Sequence, residues 1–254
     1  MRTREKISEC IEELKDYAED SIPVLLENGK IAGIITAQDI VEAVDDEMGE
    51  DYAKLAGLTS EEDLNEPTLL SMKKRLPWLI ILLFLGMGVS SVVGIFEEVV
   101  AVLPVVMCFQ SLILDMAGNV GTQSLAVTIR VLMDENLTVA QKLKLVVKEM
   151  KTGFLNGVCL AVMSFLFLGL YIHFFRKYDI GHSFLIAACV GAALIVAMVI
   201  SSLVGTVIPI FFKKIKVDPA VASGPLITTV NDLVAVVVYY GLTWIFLINM
   251  LHIA

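Results

Sequence analysis

Two stretches hold most of the residues that could do chemistry in an apolar setting. The first is DPAVASGPLITTVND, which ends on Asp232 and runs into LVAVVVYYGLTW. A carboxylate at membrane depth is costly and marks an ion pathway or a polar partner, whereas at the rim of a span it is an ordinary solvated acid; both readings are open for Asp232. Thr228, Asp232, Ala235, Tyr239 and Thr243 recur at spacings of three or four, which predicts one small or polar stripe on an apolar helix, lining water or another polar helix. Asp218 suits a helix cap and Pro219 a first helical position. Pro225, just after Gly224, cannot donate to the carbonyl four residues back, which predicts a kink with the oxygen of Val221 freed. Two copies of Asp232 across a symmetry axis would face a hydrated divalent cation, and magnesium commonly meets one or two carboxylates while keeping several waters.

The second stretch, LDMAGNVGTQSLAVTIR, places Asp115, Gly118, Asn119, Gly121, Gln123 and Ser124 at the expected end of a span. The glycines predict a tight irregular turn there, with Asn119 and Gln123 satisfying freed groups or touching ion-bound water; the alternative is an interfacial loop. Asp115 is either a second carboxylate of the pathway or a helix-end residue. Glu97 and Glu98 either gather cations at an external mouth or form a solvated turn. His173, His182 and His252 lie singly at span ends, a setting that fits interfacial histidines better than metal ligands.

The elements that must position these residues follow from composition. The 254 residues are 57% hydrophobic, with a mean hydropathy of +0.78, the signature of an integral membrane protein. Five apolar stretches are long enough to cross a bilayer core of about 30 Å: Pro77 to Ile95, Val99 to Met116, Thr152 to Phe174, Ser183 to Phe211 and Leu226 to Leu251. None shows the alternation of barrel strands, so the expected fold is an all-α five-helix bundle. Small residues every fourth position, Gly86, Ser90 and Gly94 in the first span and Gly153, Gly157 and Ala161 in the third, predict close helix packing.

Residues 1–76 carry 19 acids against 9 bases, and residues 77–254 carry 9 against 10. The net charge of −9 therefore belongs to the N-terminal part, which disfavours nucleic acid as a partner and suits a cationic ligand. Residues 1–20 have no apolar core and do not read as a secretory signal, and the dispersed Cys10, Cys108, Cys159 and Cys189 do not read as a disulfide framework. Lys and Arg gather before the first span, between the second and third and between the fourth and fifth, which predicts a cytoplasmic N-terminus and an external C-terminus. The polar N-terminal part reads as a small α/β piece: a helical period at Ile7, Ile11 and Leu14, two β-type runs around Glu27-Asn28-Gly29-Lys30, and a helix capped by Thr36 with Asp39 as partner. So few elements do not make a self-sufficient core, and partner chains are expected to complete it.

Taken together, RLPWLIILLFLGMGVSSVVGIFEEVV, the segment from Pro104 to Arg130 with AGNVGTQS, and DPAVASGPLITTVND resemble the MgtE family of magnesium channels. IPVLLENGKIAGIITAQDIVEAV looks like the later part of a CBS domain, and Asp46 to Lys74 looks like the family's connecting helix. The resemblance implies a partial cytosolic CBS-like segment at 1–45, a connecting plug-like region at 46–76 and a transmembrane ion-conducting domain at 77–254. It further implies a homodimer in the cell membrane lipid bilayer, conducting hydrated Mg2+ along the interface between the second and fifth helices. By the same resemblance, Asp232 is expected to face that pore, with the carbonyl of Thr228 one turn earlier. Gly224, Asn119, Asp115 and Gln123 are further candidates for that pathway, and the acidic run Asp45, Asp46, Glu47, Glu50, Asp51 matches the region where the family gathers sensing ions, with a solvated face as the alternative. The family's helical domain, its first CBS repeat and the start of its second find no match, so feedback gating by the usual route is not expected. Ala117 and Ala235 stand where glycine is common in the family.

The expected function is therefore a magnesium or broader divalent cation channel; the alternative is an exchanger coupling divalent cations to protons or sodium through Asp115 and Asp232. An intramembrane enzyme is not expected, because Asp232 lies in TVND rather than a GxGD setting and no span carries the clustered aspartates of a phosphatidyl-alcohol transferase.

Overall fold

The computed structural model describes residues 21–58, 65–132, 137–222 and 224–250. Among these, strands β1 (Ser21–Leu25) and β2 (Ile31–Thr36) precede α1 (Ala37–Leu55), α2 (Thr68–Ile95), α3 (Glu97–Val102), α4 (Met107–Leu132), α5 (Val139–Arg176), α6 (Ile180–Lys214) and α7 (Gly224–Leu242). Short 3₁₀ turns at Pro104–Val106 and Pro219–Val221 precede α4 and α7, and a π-helical stretch, Thr243–Met250, continues α7. The expected helix around Ile7, Ile11 and Leu14, together with Cys10 and His252, lies outside the described residues.

The hairpin forms where its turn chemistry places it. Gly29 takes φ +78°, which glycine adopts freely, and Leu26 and Lys30 close the turn with a backbone bond of 2.8 Å. β1 and β2 are antiparallel, pairing Ile22 with Ile35, with an irregularity between Val24 and Leu25. A lone two-stranded sheet is marginal in water, and Ile31 and Ile34 stand largely exposed, so this piece is only half covered. Thr36 caps α1 reciprocally: the Asp39 amide donates to Thr36 Oγ1 at 3.3 Å, and the Thr36 amide donates to Asp39 Oδ2 at 2.7 Å. The hydrogen bonds from the Thr36 backbone and hydroxyl hold the Asp39 carboxyl below its ordinary value. α1 then runs unbroken to Leu55, across the expected boundary at 45/46.

Five helices are long and apolar enough to cross a membrane: Thr68–Ile95, Pro104–Leu132, Val139–Arg176, Ile180–Lys214 and Gly224–Asn249. Their limits differ from the apolar runs. The second span does not start at Val99, because the chain breaks at Leu103 and restarts through Pro104; it does not end at Met116 but continues to Leu132. The third starts at Val139, where Thr138 and Gln141 form a second capping box; Lys142, Lys144, Lys148 and Lys151 are helical, although hydropathy alone leaves them out.

α4, α6 and α7 form the centre, with Phe109, Ile113 and Ala117 packed against Ile186, Val190 and Ala193 and against Val236, Tyr239 and Tyr240. α5 lies on α6 through its small residues: a Cβ added at Gly157 would stand 2.9 Å from the Ile195 Cα, and one at Gly191 3.3 Å from the Ala161 Cβ. The matching expectation for α2 is not met among the described residues, since a Cβ at Gly86 or Gly94 would meet none of them within 4 Å and no α2 residue is fully buried.

Candidate functional site

α4 and α7 run antiparallel and meet where small residues let the backbones approach. A Cβ added at Gly118 would lie 3.0 Å from Thr228 Cγ2, and one at Gly224 3.7 Å from Thr122 Cγ2. At Gly121 it would fall onto the Asn231 carboxamide. Asn231 is fully buried; its Nδ2 donates to the Ala117 carbonyl at 3.4 Å, and its Oδ1 has no partner. α6 closes the back of this seam, with Gly205 against the Gly121 carbonyl and with Val204, Ile208 and Phe212 around Leu125 and Ile227.

The seam's open side is what remains. Asp115 and Asn119 are exposed on α4, Thr122 is half-buried beside them, and Gly224, Thr228 and Asp232 are half-buried on α7. Asp115 is three residues before Gly118 and Asp232 four after Thr228, so at about 1.5 Å of rise per residue their heights agree within about 1.5 Å. Neither carboxylate forms an ion pair among the described residues. Two unpaired carboxylates thus share a level on facing helices, beside the carboxamide of Asn119 about one turn away.

Three expectations need correction. AGNVGTQS is not an irregular span end: it lies within α4, and its glycines serve close helix contact rather than a turn. Pro225 does not kink a helix, because α7 begins at Gly224 and the proline occupies its first turn, where the missing N–H is tolerated. Asp218 instead caps the preceding 3₁₀ turn, accepting from the Ala220 amide at 2.9 Å. The polar stripe does not line water along its length, since Ala235, Tyr239 and Thr243 are fully buried. The Tyr239 hydroxyl donates to the Val106 carbonyl at 2.8 Å, and that of Tyr240 to Gln110 Oε1 at 2.5 Å, so this half of the stripe is a polar core.

The end of α1 rests on the start of α7. A Cβ added at Gly57, whose φ is +84°, would lie 3.2 Å from Pro225 Cγ, and one at Gly224 3.2 Å from the Leu55 carbonyl oxygen. Lys54 Nζ ties the two, 2.8 Å from Asp218 Oδ2 and 3.4 Å from Glu50 Oε2. Burial works against the Lys54 charge, but the Asp218 hydrogen bond and charge, aided by Glu50, outweigh it and hold the ammonium above its ordinary value. Burial, then the charge of Asp218, pushes the Asp51 carboxyl up. Asp45, Asp46 and Glu50 are exposed, and among the described residues no three His, Cys, Asp or Glu side chains gather to hold a metal. Glu97 and Glu98 are exposed at the start of α3. His173 Nδ1 lies 3.0 Å from the Tyr178 carbonyl, and His182 stands 3.9 Å from Asp179.

Residues 110–242 match a family model described as the MgtE divalent cation transporter, and residues 3–46 match that of the CBS domain. The chain belongs to the MgtE family. Among relatives named magnesium transporter MgtE, that of Bacillus subtilis is 34% identical over 97% of this chain and 52% of its own length. That of Enterococcus faecalis is 36% identical over 92% of this chain and 49% of its own length. That of Thermus thermophilus is 32% identical over 94% of this chain and 51% of its own length. The chain spans about half the length of these relatives. Membership of MgtE makes it a multi-pass membrane protein of a transporter family rather than an enzyme, and the CBS match reaches back to residue 3, ahead of the stretch on which the resemblance was read.

Sequence reasoning passed over three residues in this MgtE chain. Asn231 was in plain view beside Asp232, but only the fold shows it turned into the seam. Asn156 was signalled as the lone carboxamide of an apolar run, GFLNGVCL. Glu149 sits among lysines and reads as an interfacial charge, yet it is 6% exposed and accepts from the Ser124 hydroxyl at 3.0 Å.

Proposed function

We propose that this chain conducts hydrated Mg2+ passively along the open side of the α4–α7 seam, with Asp232 as the group that recognises the ion. The observation that carries the reading is the pair of unpaired carboxylates, Asp115 and Asp232, at one height on facing helices, flanked by Asn119 and Thr228. Carboxylates and carboxamides suit a cation that keeps its water, since metal-bound water donates outward to such oxygens. The relatives' name, magnesium transporter, supports Mg2+ as the cargo. A seam open on one side is half a pathway; a second copy facing it across a two-fold axis supplies the other half and doubles the carboxylates. The bases at the α1 end of the bundle favour that end in the cytoplasm of a cell membrane.

The test is Mg2+ influx into proteoliposomes holding the purified chain, beside Asp232→Asn, which keeps the side-chain size and removes the charge. Influx down a gradient that falls strongly in Asp232→Asn is the expected result; equal influx in both moves recognition away from Asp232. The presence of two carboxylates at one level also fits an exchanger, and dependence of influx on an imposed proton or sodium gradient would decide for it.

A further inference from the structure

α4 and α5 do not pack along their middles. A cleft of about 260 Å³ separates them, walled by Asn119 and Gln123 on α4 and by Asn156 and Cys159 on α5, and floored by Met198 of α6. Asn119 is the thirteenth of the 26 residues of α4, and Asn156 lies five residues past Lys151, just inside the apolar run of α5. No protein group bonds the side chain of Asn119, Gln123 or Asn156 among the described residues. Bare carboxamides in hydrocarbon cost several kcal/mol each, so this cleft is a place for water or a hydrated ligand.

A buried charge lies outside the cleft's lining, past its α1-side end. There Ser124, next after Gln123, donates to Glu149, the one charged side chain that is buried among the described residues. Glu149 lies on α5 two turns before Asn156, and it forms no ion pair among the described residues; Lys148 and Lys151 are exposed. A hydroxyl at 3.0 Å offsets only part of the cost of a buried carboxylate, and a cation nearby would offset more. The Ser202 hydroxyl, 1% exposed and without a partner, abuts Gly153, one turn from Glu149, and adds an unused oxygen on the α6 side.

We propose that the α4–α5 cleft is a second binding position for a hydrated divalent cation, beside the seam rather than in it, held by the carboxamides of Asn119, Gln123 and Asn156 with Glu149 as its counter-charge. Size agrees: six waters at roughly 30 Å³ each occupy about 180 Å³, inside the roughly 260 Å³ available. The chemistry agrees as well, because neutral amide oxygens accept from bound water without stripping it, so the ion is held loosely enough to leave. Asn119 lines the cleft and also stands on the open side of the seam, so an ion in the cleft stands within reach of the α4–α7 path.

This inference rests on the hydrated-cation reading above, and the test separates the two. The full chain in lipid nanodiscs is imaged with hexaamminecobalt(III), whose six ammines are fixed and bind only through acceptors, in the wild type, Asp232→Asn, Asn156→Leu and Glu149→Gln. Expected is compact density in the cleft of the wild type and of Asp232→Asn, lost in Asn156→Leu and weakened in Glu149→Gln. Asn156 is exposed, so its leucine variant keeps the packing of α5; Gln123→Leu serves as a second variant with the same expected loss. A cleft empty at a concentration that fills the Asp232 level overturns the side position and leaves the channel reading standing. Elongated density of a lipid chain in the cleft also overturns it, as does cleft density that persists in both leucine variants.

Discussion

Gly205→Ala tests whether the α4–α6–α7 contact sets the seam. The new methyl would fall on the Gly121 carbonyl, 3.1 Å from its carbon and 3.3 Å from its Cα, besides a far closer approach to the oxygen. These are backbone atoms, so no side chain can swing aside and α4 itself must move. Overpacking of this kind costs about 1–3 kcal/mol. The displacement also breaks the long bond from Asn231 to the Ala117 carbonyl, stranding a buried carboxamide whose Oδ1 already lacks a partner; that adds about 1–3 kcal/mol. The expected loss is therefore about 2–6 kcal/mol, read as a lowered melting temperature in detergent, together with reduced Mg2+ influx because Asp115 and Asn119 ride on the displaced α4. Gly121→Ala instead drives a methyl onto the Asn231 carboxamide of α7, and because both changes displace α4 at one residue, the double variant is expected to depart from the sum of the singles. Gly88→Ala, which meets nothing within 4 Å, is the control. Wild-type melting and influx in Gly205→Ala, or an equal loss in Gly88→Ala, would refute the argument.

Asp51 and Lys54 give the docking of α1 on α7 a pH dependence of one sign. Both groups titrate higher in the folded chain than ordinarily, so the folded state binds more protons in each window and docking weakens as pH rises: through the Asp51 window above the ordinary carboxylate range, and again above the ordinary lysine value. Asp51→Asn is expected to slow hydrogen exchange at residues 55–58 and to flatten its acid-side pH dependence; faster exchange would count against the assignment. Lys54→Met breaks a partly exposed pair worth about 0.2–1 kcal/mol, so global melting holds while exchange at residues 55–58 speeds up. Tyr239→Phe removes one buried neutral bond to the Val106 carbonyl and is expected to cost about 1 kcal/mol without changing ion selectivity; altered selectivity would mean that the upper stripe is wet after all.

The elements were legible wherever a local rule governed them. Asn28-Gly29 wrote the hairpin, Thr36 and Asp39 wrote the start of α1, and apolar length wrote five spans. Local rules failed at Gly118 and Gly121, because a glycine permits both a turn and a close helix contact, and only the partner helix decides between them. Hydropathy likewise found the apolar middle of α5 and stopped at its lysines, although the helix continues through them. Of the site, Asp232, Thr228, Asp115 and Asn119 could be named from residue type, but their common height depends on the α4–α7 register, which no single stretch contains. Tyr239 and Thr243 share the spacing of Asp232 yet face the core, because α4 and α6 cover that half of the helix.

The bare surface of α2 bears on the order in which the bundle is made. None of its 28 residues is fully buried among the described residues, and its main neighbour is α7, which is synthesised after α4, α5 and α6. Between the emergence of Ile95 and that of Leu242 the ribosome adds 147 residues, roughly 7–30 s at about 5–20 residues per second. Throughout that interval α2 waits in the bilayer with no mate from its own chain, so the first of the five spans to be inserted is the last to be seated. Its small-residue face is then open to any other membrane helix that arrives sooner.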